Sequence, residues 1–373
     1  MKNNKILHIT TAHQNNDNRI FQKQVSSLKK SGFDISLIAQ GNLDTKVNDI
    51  DIYAVPFSKS RFDRFVFTNL RILLRTIKIN PRICHFHDPD FIFSAVILRM
   101  LGKKVIYDVH EDVPKQIMSK YWIPKLLRKF IATLFNIIEK ICSYFFFSHI
   151  VTATDSISKR FNKDKVVVVH NYPRLEEYDQ LSSDYLDREN AIIYIGGISK
   201  IRGINEMIEA FLKLKTQNVK FYLAGPFDNN DLKNNILDRI KSIPNIEYLG
   251  FLNRAEVAKY LSKSRLGLVL FHPEPNHIEA GPNKIFEYMS AKLPVLGSNF
   301  NLWKSIIINN NCGLLVDPID SDKIAESIDW VLNNKEKAEV FGKNGSKMVN
   351  TEFNWSTQEE KLINMYKNMI YEK

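Results

Sequence analysis

The chain has 373 residues, 44% hydrophobic and 25% charged, with 14 Gly and 13 Pro, a usage that excludes a collagenous, disulfide-stapled or largely disordered protein. At about 100–200 residues per domain, the length points to two domains with ample core. The formal net charge of +11 is uneven: residues 1–170 carry 27 basic and 14 acidic side chains, against 25 and 27 in the remainder, so the excess positive charge points to an anionic partner for the N-terminal half, a solvated basic face being the plainer alternative.

The N-terminal apolar run is too short for a secretory signal, and no stretch of about 20 uncharged apolar residues could span a bilayer. Three scattered cysteines, Cys84, Cys142 and Cys312, offer neither a disulfide framework nor a metal site, and the expected home is the reducing cytosol.

In chain order, short apolar runs alternate with helical patterns. KILHIT (5–10), DISLIA (34–39), DIYAVPF (51–57), ICHFH (83–87), KVIYDV (104–109), HIVTAT (149–154) and KVVVVHN (165–171) read as buried strands. Helical stretches lie between several of them, such as 19–31 and 90–101. Residues 58–80 read as a helix opening at Ser58. Arg61, Arg64, Arg71, Arg75 and Lys78 fall along one face of it, while Phe62, Phe65, Val66, Leu73 and Ile77 fill the others. Residues 120–150 repeat the theme, with Tyr121, Trp122 and Ile123 ahead of Lys125, Arg128 and Lys129 and then a long apolar helix. Basic amphipathic helices with aromatic flanks suit an anionic membrane interface; a core-facing helix with a charged outer face is the plainer alternative for each. No zinc-finger spacing or RNP-like sequence favours nucleic acid.

After Pro173 an acidic, weakly patterned stretch reads as a connection. The alternation then restarts with AIIYIGG (191–197), KFYLAG (220–225), IEYLG (246–250), LGLVLF (266–271), LPVLGS (293–298) and CGLLVD (312–317), and a last helix runs from Ser356 to Tyr371. The expectation is an α/β protein of two Rossmann-like β/α/β domains facing each other across a cleft. The N-terminal domain would cover 1–172, a linker 173–190, the second domain 191–355, and residues 356–373 would form a helix crossing back toward the first.

Ligands of such folds bind at the carboxyl ends of strands, and chemistry-bearing residues gather there. In HIEAGPNKIFEYMSAKLPVLGS (277–298), Gly281, Pro282 and Asn283 form a loop-to-helix entry whose free N–H groups can receive a phosphate. Lys284 adds positive charge. Glu287, one turn inside the helix, can accept from a ribose diol, and Glu279 in the preceding loop can reach a sugar. By spacing alone, two glutamates eight apart are more often a surface pattern. YIGGISKIRGI (194–204) lacks G-x-G-x-x-G and the G-K-[ST] of a P-loop, but Arg202 near a helix start can hold a diphosphate. His110 follows the strand KVIYDV, and the polar loop TTAHQNNDNR after the first strand offers His13, Asp17 and Arg19 as hands for a substrate. HFHDPD (85–90) looks like both a metal cluster and the Asp-x-Asp of metal-dependent sugar transferases. The turn at Pro89 and the second Rossmann-like half argue against it, so no metal is expected.

The combination of Glu279-x7-Glu287 within PNKIFEYMSAKLPVLGS, YIGGISKIRG, FYLAGPF, IEYLGFLNRAEVAKYLSKSRLGLVLF and CGLLVDPID resembles the retaining glycosyltransferases of family 4, which have the GT-B fold. DNRIFQKQVSSLKKSGFDISLIA, HFHDPD and VIYDVHEDVP resemble its bacterial members that build surface polysaccharides. The resemblance implies a metal-independent transfer, without cofactor, from a nucleotide-diphosphate-sugar (UDP before GDP) to a lipid-linked saccharide on a polyprenyl diphosphate. It places the protein in the cytoplasm, peripherally on the inner face of the membrane. It implies that Glu279 and His110 contact the transferred sugar, Glu287 the donor ribose, Arg202 the diphosphate, and Phe251 and Leu252 the base. Gly197, Ile285 and the 281–284 entry complete the implied donor site. Two positions depart from the family pattern. Gly197 stands where an arginine is frequent, which shifts phosphate binding onto Arg202 and Lys284, and TTAHQNN replaces a glycine-rich turn. A nucleotide-sugar epimerase of the same architecture and a non-catalytic nucleotide-sugar or membrane-binding subunit are the competing readings.

Overall fold

The computed structural model describes residues 4–120, 123–178 and 184–371; Tyr121 and Trp122, expected as an aromatic flank, lie outside the described residues. The chain divides into two units, one of Met1–Asn171 with Ser356–Lys373 and the other of Tyr172–Trp355.

In the first unit the strands are β1 (Ile6–Gln14), β2 (Ile35–Gln40), β3 (Thr45–Val47), β4 (Ile50–Val55), β5 (Ile83–Phe86), β6 (Lys104–Val109), β7 (His149–Thr152) and β8 (Val166–Val168), in the order β3-β4-β2-β1-β5-β6-β7-β8. Every neighbouring pair is parallel except β3 with β4. Strands covered on both faces need unbroken apolar runs; β5 is buried along its whole length and β2 up to its last residue. From β1 the chain winds outward through β2 to β4, then returns to β1's other side as β5. That reversal makes a crevice at the carboxyl ends of β1 and β5, where ligands of open sheets bind.

The second unit repeats the plan with β9 (Ala191–Ile195), β10 (Lys220–Ala224), β11 (Ile246–Tyr248), β12 (Leu266–Val269), β13 (Val295–Ser298) and β14 (Gly313–Val316). All its pairs are parallel, in the order β11-β10-β9-β12-β13-β14. Its reversal lies between β9 and β12.

Two local expectations change. The acidic stretch expected as a linker packs into the second unit: Tyr178, Tyr185 and Arg188 are buried. Tyr185 donates to the Arg265 carbonyl at 2.8 Å, and Arg188 to the Ala291 carbonyl at 3.0 Å. The helix expected from Ser58 is instead capped by Ser60, whose hydroxyl accepts from the Asp63 N–H at 3.1 Å. It widens to π winding over Arg64–Thr68 before the regular helix Asn69–Ile79. The final helix, Trp355–Tyr371, belongs from Ser356 onward to the first unit, where Lys104 Nζ donates to the Met369 carbonyl at 2.5 Å.

Candidate active site

In the second unit, chemistry gathers at the β9–β12 reversal. After β9 the chain turns through Gly196 and Gly197 and enters the helix Ile204–Leu212 by way of a short turn at Lys200–Arg202. The two glycines make room for two cations. A Cβ on Gly196, which holds φ +133°, would lie 2.1 Å from Lys284 Cε and Nζ, and one on Gly197 would lie 2.6 Å from Arg202 Nη1. Arg202 donates to the Gly197 carbonyl at 3.1 Å and lies over the Phe271 ring, 5.4 Å from its centroid. Lys284 reaches the same turn from the helix Asn283–Ser290, its Nζ 5.9 Å from the Tyr194 ring centroid. Burial, then Arg202 beside it, lowers the Lys284 ammonium to about 8, with Glu287 acting in the opposite direction. A desolvated cation beside a second cation is a destabilising arrangement without an anion to share.

Helix Asn283–Ser290 is aimed by its surroundings. Tyr288 fills the space left by Gly267, where a Cβ would lie 2.3 Å from the ring; its hydroxyl accepts from the Ile195 N–H at 3.2 Å. Trp303 Nε1 donates to the Ala280 carbonyl at 2.7 Å and pins the entry loop. Glu279, exposed, follows the short helix Pro275–Ile278. Glu287, half-buried, accepts from Arg254 Nη1 at 2.9 Å, and Arg254 Nη2 donates to the Tyr178 hydroxyl at 3.2 Å. Sequence reasoning missed Arg254, Trp303 and Tyr288, and the one local signal was the Asn253–Glu256 capping box that starts Arg254's helix. Ile285 is corrected: its side chain is core and its N–H bonds the Pro282 carbonyl at 3.1 Å, so neither is open to a ligand. Phe251 is 83% exposed, whereas Leu252 packs against the core.

In the first unit the β1–β5 reversal gathers histidines and carboxylates. His110 follows β6, its Nε2 2.9 Å from Asp108 Oδ2 and 3.2 Å from His87 Nδ1. Asp108 is fully buried. Burial raises its pKa, yet Arg19, His110 and His87 together hold it well below the carboxylate range. Arg19, expected as a hand for substrate, is turned inward instead, with Nη2 2.7 Å from Asp108 Oδ1 and Nη1 2.9 Å from the Val169 carbonyl. Asp17 is likewise structural: its carboxylate caps the following helix by accepting from the N–H groups of Arg19 and Ile20 at 2.9 and 2.8 Å. His13 pairs with Asp17 at 3.1 Å, which raises its pKa, and keeps an exposed edge.

HFHDPD divides. Asp88 accepts from Thr10 Oγ1 at 2.6 Å and the Thr11 N–H at 2.8 Å, and Asp90 accepts from Thr11 Oγ1 at 2.9 Å. His85 and His87 point the other way, toward His8, which sequence reasoning missed; suitable ring nitrogens of these three lie within 4.8 Å of one another.

The expected basic face is also revised. Arg64 pairs with Asp90 at 3.4 Å, Arg75 with Asp44 and the Ala54 carbonyl, and Arg128 donates to the Met118 carbonyl at 2.8 Å. Arg61, Arg71, Lys78, Lys125 and Lys129 remain exposed. Phe62, Phe65, Val66 and Ile77 are exposed too, as are Leu126, Phe130, Leu134, Ile137, Ile141 and Phe145 along the helix Lys125–Phe145. Among the described residues no helix is long and apolar enough to cross a membrane.

Two parallel-sheet units, each with polar residues at its strand reversal, define the GT-B class of folds. Sucrose-phosphate synthase from Thermosynechococcus elongatus superposes with a TM-score of 0.79 at 16% identity, over 99% of this chain and 100% of that one. HepE from Anabaena, in complex with UDP and glucose, gives 0.75 at 12% identity, over 98% and 99%. The family model described as Glycosyltransferase Family 4 matches residues 19–173, and the one described as Glycosyl transferases group 1 matches residues 179–348. The capsular polysaccharide biosynthesis glycosyltransferase CapM of Staphylococcus aureus is 25% identical over 399 aligned positions, covering 100% of this chain and 99% of that protein. The chain belongs to this glycosyltransferase family, and it is a transferase.

Proposed function

We propose that the protein moves a sugar from a nucleotide-diphosphate-sugar, UDP-linked before GDP-linked, to a lipid-linked saccharide in the building of a surface polysaccharide, with retention of configuration and without a metal. The observation that carries this reading is the Gly196–Gly197 turn with Lys284 and Arg202 packed on it. Two cations and the N-terminus of helix Asn283–Ser290 match a leaving diphosphate, whose negative charge grows as the glycosidic bond breaks. Glu287, oriented by Arg254, is an acceptor-only group suited to a ribose diol. The UDP and glucose held by the similarly folded HepE support the donor class, and the capsular role of CapM supports the acceptor class.

His110 and Glu279 take the transferred sugar and His13 the acceptor side. Retention follows from the family-4 likeness. Metal independence is supported by the side chains of HFHDPD, whose carboxylates are bound by threonines. The exposed basic and apolar residues of helices Asn69–Ile79 and Lys125–Phe145 support a peripheral seat on an anionic membrane.

The test is transfer itself: sugar-labelled UDP-glucose, UDP-N-acetylglucosamine, UDP-galactose and GDP-mannose, each with a bacterial lipid extract and EDTA. Label entering an organic-soluble glycolipid with an anomeric configuration matching the donor supports the reading. Epimerised sugar without glycolipid, or transfer only when metal is restored, overturns it.

A further inference from the structure

Behind His110 lies a chain of buried groups to which the transfer chemistry gives no role. His8 and His85 are fully buried and His87 nearly so, and burial lowers the pKa of all three, so each ring is neutral and carries one proton. Asp108, held ionised by Arg19, only accepts. The proton positions then follow in sequence. His87 Nδ1, 3.1 Å from Asp108 Oδ2, must donate, which leaves its Nε2 as an acceptor. His8 Nδ1, 2.9 Å from that Nε2, must therefore donate, leaving His8 Nε2 to accept from the Tyr366 hydroxyl at 3.0 Å. With its proton so engaged, the Tyr366 oxygen accepts from His85 Nδ1 at 2.6 Å. The series ends on His85 Nε2, a buried lone pair with no hydrogen-bond partner.

The same three histidines could be read as metal ligands. Two nitrogens on one tetrahedral zinc, at about 2.0–2.1 Å each, stand about 3.3 Å apart; the 2.9 Å between His8 Nδ1 and His87 Nε2 is instead a hydrogen-bond length.

We propose that Tyr366, on the C-terminal helix, is a positioning residue for His110 and acts through His8, His87 and Asp108. This rests on the reading that His110 contacts the transferred sugar. His87 and His110 approach the same carboxylate oxygen, and their facing nitrogens are 3.2 Å apart, so the placement of one ring limits the other. His87 is clamped at both nitrogens, and so is His8, whose outer clamp is the Tyr366 hydroxyl. Removing that hydroxyl leaves His8 Nε2 and His85 Nδ1 unmatched in a buried space. The rings then reorient, and the slack reaches His110 through the shared oxygen.

The test is a double-mutant cycle on the sugar nucleotide that turns over. Tyr366→Phe lowers kcat about three- to tenfold, with the donor KM within about twofold. In a His110→Ala background the same change has no further effect on kcat, because its target is gone. Equal losses in both backgrounds mean a merely structural tyrosine and overturn the proposal. Should Tyr366→Phe fold poorly, His8→Gln, whose amide still offers a donor group and an acceptor group, retains more of kcat than His8→Leu; equal losses overturn it. Nitrogen-15 spectra of the imidazoles report the order of protons independently of turnover. His8, His85 and His87 each appear as the Nδ1–H tautomer, and an Nε2–H tautomer at His8, or shifts of metal-bound imidazole with stoichiometric metal, overturn the relay. If His110→Ala alone leaves kcat unchanged, the role given to His110 fails and Tyr366 loses its target, while the tautomers still decide whether the relay exists.

Discussion

Lys284 and Arg202 share one glycine turn, and their behaviour is the most local consequence of the account. With the leaving diphosphate on this turn as proposed, truncating either to alanine costs about 2.7–4 kcal/mol in the transition state, roughly a hundred- to a thousandfold in kcat. Gly196→Ala puts a methyl where the Lys284 ammonium lies and holds alanine at φ +133°; calorimetry should show nucleotide affinity falling together with a stability loss of about 1–3 kcal/mol. The lowered pKa of Lys284 fixes a sign. The ammonium is charged below about 8, so affinity for a nucleoside diphosphate holds at neutral pH and declines as pH rises through that value. Free-protein stability moves the other way: the native state binds fewer protons than the unfolded chain between about 8 and the ordinary lysine value, so stability rises across that window. A Lys284→Arg protein, charged throughout, should show neither trend. The glycine turn was legible as YIGG closing a strand, and Arg202 as a cation near the start of the next helix. The partners of Glu287 and Asp108 were not, since Arg254 lies 33 positions from Glu287 and Arg19 lies 89 from Asp108.

At the scale of elements, the parallel strands were legible because burial on both faces demands continuous apolar runs. β3 was not: its three residues, Thr45–Val47, are all exposed and pair antiparallel at the sheet edge, so no hydrophobic pattern marks it. The helices Asn69–Ile79 and Lys125–Phe145 showed their charge but not their orientation. Much of their apolar surface faces outward, because the first-unit core takes Ile72 and Leu73 from one helix and Ala132 and Cys142 from the other. Helix Ile92–Met100 packs between them, and Phe93 on it meets Phe65 edge to face at 6.5 Å between centroids. Leu134→Glu with Ile137→Glu therefore changes stability by no more than about 0.5 kcal/mol per site, yet should abolish flotation with vesicles rich in anionic lipid. Retained flotation would remove these helices from the membrane contact.

Over the whole molecule, two sheets reverse their strand order at β1/β5 and β9/β12, and the chemistry follows those reversals. The duplication was legible in the alternation, which restarts after the acidic stretch at 173–190; that this stretch is part of the second unit was not, because Tyr178, Tyr185 and Arg188 have no periodic pattern to betray their burial. The positive charge stays in the half that carries the exposed apolar helices, while the second half, near neutral in sum, sets Arg202 and Lys284 on one glycine turn. On the reading proposed above, this turn holds a nucleoside diphosphate without a metal. Calorimetric titration of UDP and of GDP, each with and without EDTA, into the wild type and the Arg202→Ala, Lys284→Ala and Glu287→Ala proteins tests it most directly. The expected result is one nucleotide bound, with the same affinity in EDTA, and binding sharply weakened in all three variants. Binding that requires a metal, that survives all three substitutions, or that occurs with neither nucleotide would contradict it.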